Sequence, residues 1–556
     1  MKTQQVDYSL YLVTDSTEAI LGSRDLVKVV EQALLGGVTL VQYRDKTSDT
    51  NTLITTAQAL HKKCLAHNTP LLINDRVDVA LAVDCEGVHL GQDDMSIALA
   101  RKMLGPGKII GATVSSVAEA RVALERGADY LGIGTLYATN TKKNTKEIIG
   151  VNGIRKILKY LEGSEMGRKV KTVCIGGINA NNIQRITHQL LAPTPSNPSP
   201  KTIDGAAIVS AIIGAQDPKT AAINLSNLLH TAAPFAPRST NPPFWNANKE
   251  DEIKHILNNT TAATKAVKKS SPLSHNMTNL VVQNFAANTA LAIGASPIMS
   301  NYAAESPDLS KLGGALVINM GTVTPDGLQN FTQAITAYNA VGGPIVFDPV
   351  GAGATRIRQD ALATLMATSY FDLIKGNERE IMAVARTSGF TLTDNSQQHG
   401  VDSGSQLYTW VQRASIVRRL AARERNVVLM TGPTDLISDG VRTYAVSNGH
   451  AYLGRVTGTG CALGTVLSAY VAAYRVDKLL AAVAGLLHFE IAAERAAERA
   501  EVRGPGSFVP AFLDELWRFG EEVVGGEVGW KEGVRVDCVK DVGEEEVLKE
   551  EEEEDV

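Results

Sequence analysis

The 556-residue chain has little that would indicate a secreted, membrane or zinc-binding protein. Its five cysteines are widely spaced and form no C-x-x-C pair, which argues against a disulfide framework or a zinc site. No apolar run approaches the roughly 18 residues of a transmembrane helix, and the amino terminus lacks the apolar run of a secretory signal. Aromatic residues make up only 5% of the chain, whereas the 44% of hydrophobic residues are typical of a globular α/β protein. We therefore expect a cytoplasmic protein with reduced thiols.

The chain also lacks a general excess of positive charge. Its net charge is −5, but residues 544–556 alone carry nine acids against Lys549, so the rest of the chain is close to neutral. This balance gives no basic field for nucleic acid, and we expect neither a nucleic-acid nor a membrane partner. We predict that residues 526–556 form an acidic, disordered tail.

The length exceeds that of a single hydrophobic core and indicates two domains. Residues 231–248 contain four prolines and interrupt the apolar periodicity, as an interdomain linker would. We predict one domain over residues 1–230, a linker over 231–250 and a second domain over 251–525. A second Pro-rich stretch, residues 192–202, is followed at once by a strand-like run and is interpreted as a surface loop of the first domain.

Eight short apolar runs alternate with helix-like segments before the linker. They are LYLVTD, TLVQYRDK, LLINDR, GVHLGQDD, KIIGATVSS, YLGIGTLYAT, KTVCIGGI and GAAIVSA. Eight strand–helix units in about 220 residues are typical of a (β/α)8 TIM barrel, with an open doubly wound sheet as the alternative. Polar residues follow most of these runs, and the carboxyl ends of barrel strands meet at one rim.

Residues of that rim suit a diphosphate and a divalent cation. Gln42, Arg44 and Lys46 alternate along one side of an extended chain, and two cations there suit a diphosphate. Asp75 and Asp94 follow successive strands, and carboxylates of this kind suit Mg2+. The alternatives are a solvated surface pair for the cations and helix caps or turns for the carboxylates.

A second phosphate site is predicted after the last two strands. Gly177 follows one strand and Val209 and Ser210 follow the other, where barrels commonly bind phosphate through backbone N–H groups. No nucleophile or base is evident on the rim. These features suggest that two phosphorylated molecules are joined and diphosphate leaves, with catalysis by positioning and leaving-group stabilisation.

The strings QYRDK, IND, GQDD, GIGTLYATNTK, IGGI and IVSAI, taken in order, resemble thiamine-phosphate synthase over residues 7–225. The resemblance implies that an aminopyrimidine methyl diphosphate ionises and that the nitrogen of a thiazole phosphate captures the cation. It also implies a set of site residues. They are Gln42, Tyr43, Arg44, Asp45, Lys46, Asn74, Thr113 and Lys142 for the pyrimidine diphosphate; Thr139, Asn140, Thr141, Gly177, Val209 and Ser210 for the thiazole phosphate; and Asp75 and Asp94 for Mg2+. Thr113 stands where the family usually has serine, and Asn140 replaces a frequent glutamate.

The region after the linker predicts a layered α/β/α domain, with a helix over residues 281–293 and strand-like runs separated by helices. Near its end, VTGTGCALG places Cys461 at the start of an apolar helix, where we predict a lowered thiol pKa and an anion site. The alternative is a small buried cysteine. Asn377 and Glu380 form an N-x-x-E pattern that could organise Mg2+ near nucleotide phosphates, or could cap a helix instead.

DPVGAGAT, the N-x-x-E pattern, TGTGC and GPGSF resemble hydroxyethylthiazole kinase, a ribokinase-like family, over residues 255–520. The resemblance implies Cys461 as base or proton relay, Met299 and Gly458 as thiazole contacts, Arg358 and Thr431 as ATP contacts, and a homo-oligomer. Thr459 replaces a common alanine, and residues 397–405 resemble a loop insertion. The two resemblances together predict a bifunctional thiamine biosynthesis enzyme. A catalytically inactive thiamine-binding regulator, or a related barrel–kinase fusion with other substrates, is the alternative.

Overall fold

The computed structural model describes residues 6–137, 148–191, 197, 199–236, 248–392, 408–540 and 548–549. The chain divides into two compact units, residues 1–233 and residues 234–556. None of the helices in the described ranges is long and apolar enough to cross a membrane.

The first unit is a closed barrel of eight parallel strands within its described residues, in the order β1 to β8 with β8 paired to β1. The strands are β1 Leu10–Val13, β2 Leu40–Tyr43, β3 Leu71–Asn74, β4 Gly87–Leu90, β5 Ile109–Val114, β6 Tyr130–Ile133, β7 Lys171–Ile175 and β8 Gly205–Ile208. The helices are α1 Glu18–Leu21, α2 Leu26–Leu35, α3 Thr50–Ala66, α4 Val77–Val83, α5 Ile97–Leu104, α6 Val117–Glu125, α7 Gly150–Glu162, α8 Glu165–Lys169, α9 Ile183–Leu190, α10 Ser210–Ile213 and α11 Pro218–His230. The predicted TIM barrel is confirmed, and each of the eight apolar runs contains one strand.

Two apolar layers hold the barrel together. Alternate strand residues point inward and form a small cluster around Tyr11, Leu40 and Tyr130, and the others pack against the helices. Many helices begin at a polar residue that follows a strand and accepts hydrogen bonds from the first helical turn, as Asp25, Asp49 and Ser116 do. The polar rim is therefore built from the short segments between strand ends and helix starts.

The second unit is built on a mixed sheet with nine strands in its described residues, in the order β10-β9-β11-β12-β13-β15-β16-β17-β18. The strands are β9 Leu273–Met277, β10 Ser296–Ile298, β11 Ala315–Asn319, β12 Ile345–Asp348, β13 Leu373–Asn377, β15 Val427–Thr431, β16 Asp435–Ser438, β17 Thr443–Val446 and β18 Val536–Cys538; β14 Thr391–Leu392 pairs separately with β19 Leu548–Lys549. The helices are α12 Lys249–Ser270, α13 Gln283–Ile293, α14 Ser306–Leu309, α15 Pro325–Val341, α16 Arg356–Thr368, α17 Glu378–Thr387, α18 Trp410–Glu424, α19 Thr459–Ala473, α20 Lys478–Glu498 and α21 Pro505–Gly525.

Two large apolar clusters lie on opposite faces of this sheet. One is formed with α12, α13, α19, α20 and α21, and the other with α15, α16, α17 and α18. The predicted α/β/α layering is thus confirmed. The predicted helix that ends at Gly294 is also present, and Gly294 closes it in the left-handed conformation.

The boundary predicted for the acidic tail is wrong at its start. Residues 526–540 belong to the folded second unit, because Trp530 is buried against Phe519 and β18 pairs with β17. The side chain of Arg535 also bonds to Glu494 of α20. The prediction rested on composition, and the many acidic residues dominate the composition of this region. A single buried tryptophan and three strand residues add too little hydrophobic signal to predict a folded segment.

Candidate active sites

Two carboxylates and a lysine meet at the barrel rim, where β2, β3 and β4 end. Asp75 follows β3 with a left-handed φ of 61°, and its carboxylate forms an ion pair with Lys46. Asp94 follows β4 and accepts a hydrogen bond of 2.7 Å from the backbone N–H of Gly91. Burial and the neighbouring Asp75 carboxylate both raise the pKa of Asp94. The structure thus brings together three residues that the sequence places far apart.

The crowding of Asp75 and Asp94 fits a divalent cation. Each carboxylate penalises the charge of the other, and a bound cation would relieve that repulsion. Mg2+ commonly uses one or two protein carboxylates and completes its shell with substrate phosphates and water. Among the described residues, no group of three or more His, Cys, Asp and Glu side chains could hold a metal alone. These two carboxylates would therefore need oxygen ligands from the substrate.

The other predicted diphosphate residues lie beside this cluster. The Gln42 side chain donates a hydrogen bond of 3.0 Å to Asn74 Oδ1, so the two amides are held together. Arg44 has its guanidinium 3.8 Å from Asp15 and its backbone N–H 2.9 Å from Thr14 Oγ1. Sequence reasoning missed Thr14 and Asp15, although both follow β1 and therefore lie on the rim.

Tyr43 and Asp45 do not present their side chains to the rim, so only their backbone groups could contact the diphosphate, and their role as diphosphate ligands stays a prediction. The Tyr43 ring is buried with the helix-facing cluster because strand alternation directs it away from Gln42. The Asp45 carboxylate accepts hydrogen bonds from the backbone and hydroxyls of Thr47 and Ser48, which lower its pKa to about 2 against the opposing effect of burial. Asp45 therefore shapes the turn after β2.

The predicted second phosphate site is only partly described. Gly177 and Val209 lie at the carboxyl ends of the neighbouring strands β7 and β8, and Ser210 begins α10. The other residues predicted for this site, Thr139, Asn140 and Thr141, lie outside the described residues, as does Lys142 of the predicted diphosphate site. The thiazole phosphate site remains a prediction.

In the second unit, Cys461 lies in the first turn of α19 and contacts buried amides. The Asn279 side chain donates to Cys461 Sγ at 3.4 Å and to Asn319 Oδ1 at 3.1 Å. Asn319 in turn donates to Asp348 Oδ2 at 2.9 Å. A continuous chain of hydrogen bonds therefore links the thiol to a buried carboxylate at the end of β12.

The prediction of a lowered pKa for Cys461 is wrong. Burial and the nearby Asp348 carboxylate raise the pKa of the thiol to about 11, although Lys375 and the two asparagine amides favour the thiolate. The local rule for helix N-termini considers only the helix dipole. Here tertiary burial outweighs that effect.

Asp348 and Lys375 form a buried ion pair beside Cys461. Lys375 Nζ lies 3.0 Å from Asp348 Oδ2, and the two side chains are 4% and 1% exposed. Lys375 also donates to the carbonyl of Gly460, and Asp348 Oδ1 has no hydrogen-bond partner within the described part of the chain. A buried carboxylate oxygen without a partner is costly and marks a functional position.

Asn377 and Glu380 form a helix cap at the start of α17. Asn377 accepts from the Glu380 N–H, and Glu380 Oε2 accepts from the Asn377 N–H, as a reciprocal capping box at the start of α17. Glu380 Oε1 accepts from the Gly351 N–H at 2.9 Å, and burial raises the Glu380 pKa to about 7. The capping alternative is thus present in the structure, and the role of Asn377 and Glu380 in organising Mg2+ stays a prediction.

The predicted ligand contacts of the kinase lie around the same edge of the sheet. The Arg358 guanidinium donates to the carbonyls of Met320, Gly321 and Val350, which fixes the loops after β11 and β12. Thr431 ends β15 directly beside Asn377 on β13. Met299 follows β10 and is half-buried. Gly458 precedes α19 with a φ of 86°, and a Cβ atom there would lie 2.7 Å from Val282 Cγ2, so a larger residue would disturb the turn.

Comparisons with known proteins agree with both halves of this description. Residues 10–212 match the family of thiamine monophosphate synthase, and residues 264–522 match the hydroxyethylthiazole kinase family. The chain is 41% identical over 542 residues to the probable thiamine biosynthetic bifunctional enzyme of Schizosaccharomyces pombe, with 96% of this chain and 99% of that one covered. The chain belongs to the family of bifunctional thiamine biosynthetic enzymes.

The bifunctional enzyme is also similar to a second curated enzyme and to a solved kinase structure. It is 37% identical over 556 residues to the thiamine biosynthetic bifunctional enzyme of Saccharomyces cerevisiae, with 93% of this chain and 96% of that one covered. The solved hydroxyethylthiazole kinase of Pyrococcus horikoshii OT3 is 36% identical, with 52% of this chain and 100% of that chain covered and a TM-score of 0.44. Each family match falls within one compact unit of the bifunctional enzyme. The barrel is thus its thiamine-phosphate synthase domain, and the second unit is its hydroxyethylthiazole kinase domain.

Sequence reasoning missed three buried polar residues of the kinase domain, Asn319, Asp348 and Lys375. Each lies in or at the end of a central strand whose other residues are mostly apolar. That pattern was a usable signal, since a charged residue in a strand buried on both faces needs a partner. Only the structure shows which partner each has.

Proposed function

We propose that the barrel joins 4-amino-2-methyl-5-pyrimidinylmethyl diphosphate to a thiazole phosphate and releases diphosphate. Arg44, Lys46 and Lys142 would hold the diphosphate, and the paired amides of Gln42 and Asn74 would orient the pyrimidine. The bond between the methylene carbon and the diphosphate oxygen breaks with its electron pair on the diphosphate. The thiazole nitrogen then donates its lone pair to the methylene cation, which gives thiamine phosphate.

The juxtaposition of Lys46, Asp75 and Asp94 supports this proposal most strongly. The Lys46 ammonium, held by its ion pair with Asp75, would lie where negative charge grows on the leaving group, so it need not reorganise during the reaction. Mg2+, when held by Asp75 and Asp94, would neutralise part of the diphosphate charge. We assign no nucleophile among the described residues of this rim, and holding the two substrates in line serves as the other source of rate enhancement.

The kinase domain is proposed to phosphorylate 4-methyl-5-(2-hydroxyethyl)thiazole with ATP as the co-substrate. Cys461 would accept the proton of the thiazole alcohol, and the first N–H groups of α19 would bind the transferring phosphoryl group. The Asn279–Asn319 chain fixes the thiol and connects it to Asp348. Met299 and Gly458 would contact the thiazole, and Arg358 and Thr431 the nucleotide.

Both activities can be tested together in purified protein. Thiamine phosphate is expected from hydroxyethylthiazole, ATP, Mg2+ and the pyrimidine diphosphate, and its mass should be absent when any one of the four is omitted. Accumulation of thiazole phosphate alone would contradict the proposed barrel chemistry. Absence of both products would favour a thiamine-binding regulator that has kept the two folds.

We further propose that the enzyme acts in the cytoplasm as a homo-oligomer that assembles through its kinase domain. The odd, unpaired cysteines fit a reducing compartment. Light scattering of the full chain is expected to give a multiple of 59.3 kDa. A mass equal to that of a single chain would refute the proposed assembly.

A further inference from the structure

A chain of four hydrogen-bonding side chains crosses the interior of the barrel and ends at the rim. The hydroxyls of Tyr11 and Tyr130 lie 2.7 Å apart, and the Tyr130 hydroxyl lies 2.7 Å from Nδ1 of His89. Nε2 of His89 lies 2.8 Å from Oγ1 of Thr113. The four residues belong to β1, β6, β4 and β5, so the chain connects the barrel core with a residue of the predicted diphosphate site.

Two glycines make room for this chain. A Cβ atom on Gly111 would lie 2.1 Å from the Tyr130 ring, and one on Gly132 would lie 3.0 Å from Cε1 of His89. A side chain at either position would therefore clash with the tyrosine or the histidine, and the two glycines leave the barrel interior free for these rings. The arrangement is a packed feature of the barrel interior, with the Tyr11 and Tyr130 side chains almost fully buried.

The buried end of the chain sets the direction of its hydrogen bonds. Tyr11 is 1% exposed, and within the described residues its hydroxyl bonds only to Tyr130. If Tyr130 donated to Tyr11, the hydrogen of Tyr11 would have no acceptor, which is costly for a buried donor. Tyr11 must therefore donate to Tyr130.

The remaining directions follow from that first bond. Tyr130 has one hydrogen and donates it to Nδ1 of His89, so a neutral imidazole carries its proton on Nε2. Nε2 then donates to Oγ1 of Thr113. A doubly protonated imidazole would donate from both nitrogens. One of the two buried tyrosine hydrogens would then have no acceptor, which carries the same cost. With Oγ1 already accepting a hydrogen bond, the hydrogen of Thr113 is directed to another acceptor.

We propose that Tyr130 and His89 are positioning residues that make Thr113 an obligatory hydrogen-bond donor to the departing diphosphate. The inference rests on the proposed role of Thr113 in binding that diphosphate. A hydroxyl that can either donate or accept is a weak anion ligand until its orientation is fixed. The chain fixes it before substrate binds, so no reorganisation is needed as charge develops on the leaving oxygen.

Matched tyrosine variants test the direction of the chain. Tyr130→Phe removes the donor to Nδ1, so the imidazole can move its proton to Nδ1 and Thr113 can donate to Nε2 instead of to diphosphate. We expect synthase kcat to fall by roughly 10- to 100-fold and the inhibition constant of inorganic diphosphate to rise comparably, as for loss of a hydrogen bond to a charged group. Tyr11→Phe removes an oxygen from the same buried chain, but Tyr130 must still donate to His89, so both constants should stay within about twofold of wild type.

A double-mutant comparison separates this inference from the proposed role of Thr113. In the Thr113→Val background, Tyr130→Phe is expected to cause no further loss, whereas a purely structural effect would add to that of Thr113→Val. Thiazole phosphorylation by the same chain serves as the control for folding and concentration. If Thr113→Val alone has wild-type synthase activity and diphosphate inhibition, the role of Thr113 is wrong. If Thr113→Val is impaired but Tyr130→Phe is not, or if Tyr11→Phe is impaired equally, the positioning role is wrong.

The wild-type protein provides a test that does not depend on mutant folding. Long-range 15N–1H spectra of histidine-labelled protein should show His89 with its proton on Nε2, assigned by loss of the signal in His89→Gln. A proton on Nδ1, or on both nitrogens, would overturn the proposed direction.

Discussion

Replacement of Asp94 by alanine is expected to reduce thiamine phosphate formation by more than about 100-fold, because removal even of outer-sphere partners at metal sites costs about 10- to 100-fold. Phosphorylation of hydroxyethylthiazole by the same chain should be unchanged, since that reaction belongs to the other compact unit. Both rates can be measured by mass spectrometry in one preparation, with thiazole phosphate supplied for the synthase reaction.

Two further variants distinguish the charge of Asp94 from its structural bond. Asn in place of Asp94 can still accept the hydrogen bond from the Gly91 N–H but lacks the negative charge. Asp94→Asn is therefore expected to lose activity almost as fully as Asp94→Ala. Asp93→Ala changes the neighbouring exposed carboxylate and should leave the rate within about twofold of wild type. A wild-type rate of thiamine phosphate formation in Asp94→Asn would show that Asp94 only stabilises the turn through its hydrogen bond with the Gly91 N–H.

Ligand-induced stabilisation provides a measurement independent of turnover. Mg2+ with inorganic diphosphate should raise the melting temperature of the barrel in the wild type, because a ligand that binds only the folded state stabilises it. The same additions should have little effect on Asp94→Asn. An equal increase in both proteins would contradict the assignment of Asp94 as a metal ligand.

The barrel was predictable because its sequence signals are local and repeated. Each strand is a short apolar run followed by polar rim residues, and the rule that parallel strand ends converge was enough to place Lys46, Asp75 and Asp94 together. The same rule identified neither Thr14 nor Asp15, although both follow a strand. The side chain of Tyr43 does not reach the rim, because strand alternation sends every second side chain to the opposite face, whereas resemblance transfers a continuous stretch of chain.

The kinase site was less predictable because tertiary burial determines its chemistry. The helix start at Cys461 is visible in the sequence, but Asp348, Lys375 and the two asparagine amides come from four other strands or loops. Their combined effect reverses the expected direction of the thiol pKa. The N-x-x-E pattern illustrates the same limit, since spacing alone does not show that Asn377 and Glu380 form a reciprocal capping box.

Cys461→Ala is expected to lower kcat for thiazole phosphorylation by about 100- to 10,000-fold, the usual contribution of a general base. Thiamine phosphate synthesis from supplied thiazole phosphate should be unaffected. Cys461→Ser retains a small polar side chain but replaces the thiol with a much weaker acid, so it should not restore the rate. Wild-type turnover in Cys461→Ala would eliminate the cysteine as the base.

The pH dependence of the kinase then tests how the raised thiol pKa is used. With a pKa of about 11, the thiol is mostly protonated at neutral pH. As long as the pH is below the pKa, each increase of one pH unit raises the thiolate fraction about tenfold. If the thiolate accepts the alcohol proton, kcat should rise with pH from about 7 to 9 in the wild type, and this rise should disappear in Cys461→Ala. A wild-type kcat that is flat over this range, combined with a strong loss in Cys461→Ala, would mean that the thiol only relays the proton. Asp348 would then be its acceptor, because its carboxylate lies near enough to raise the thiol pKa and its Oδ1 atom has no hydrogen-bond partner among the described residues.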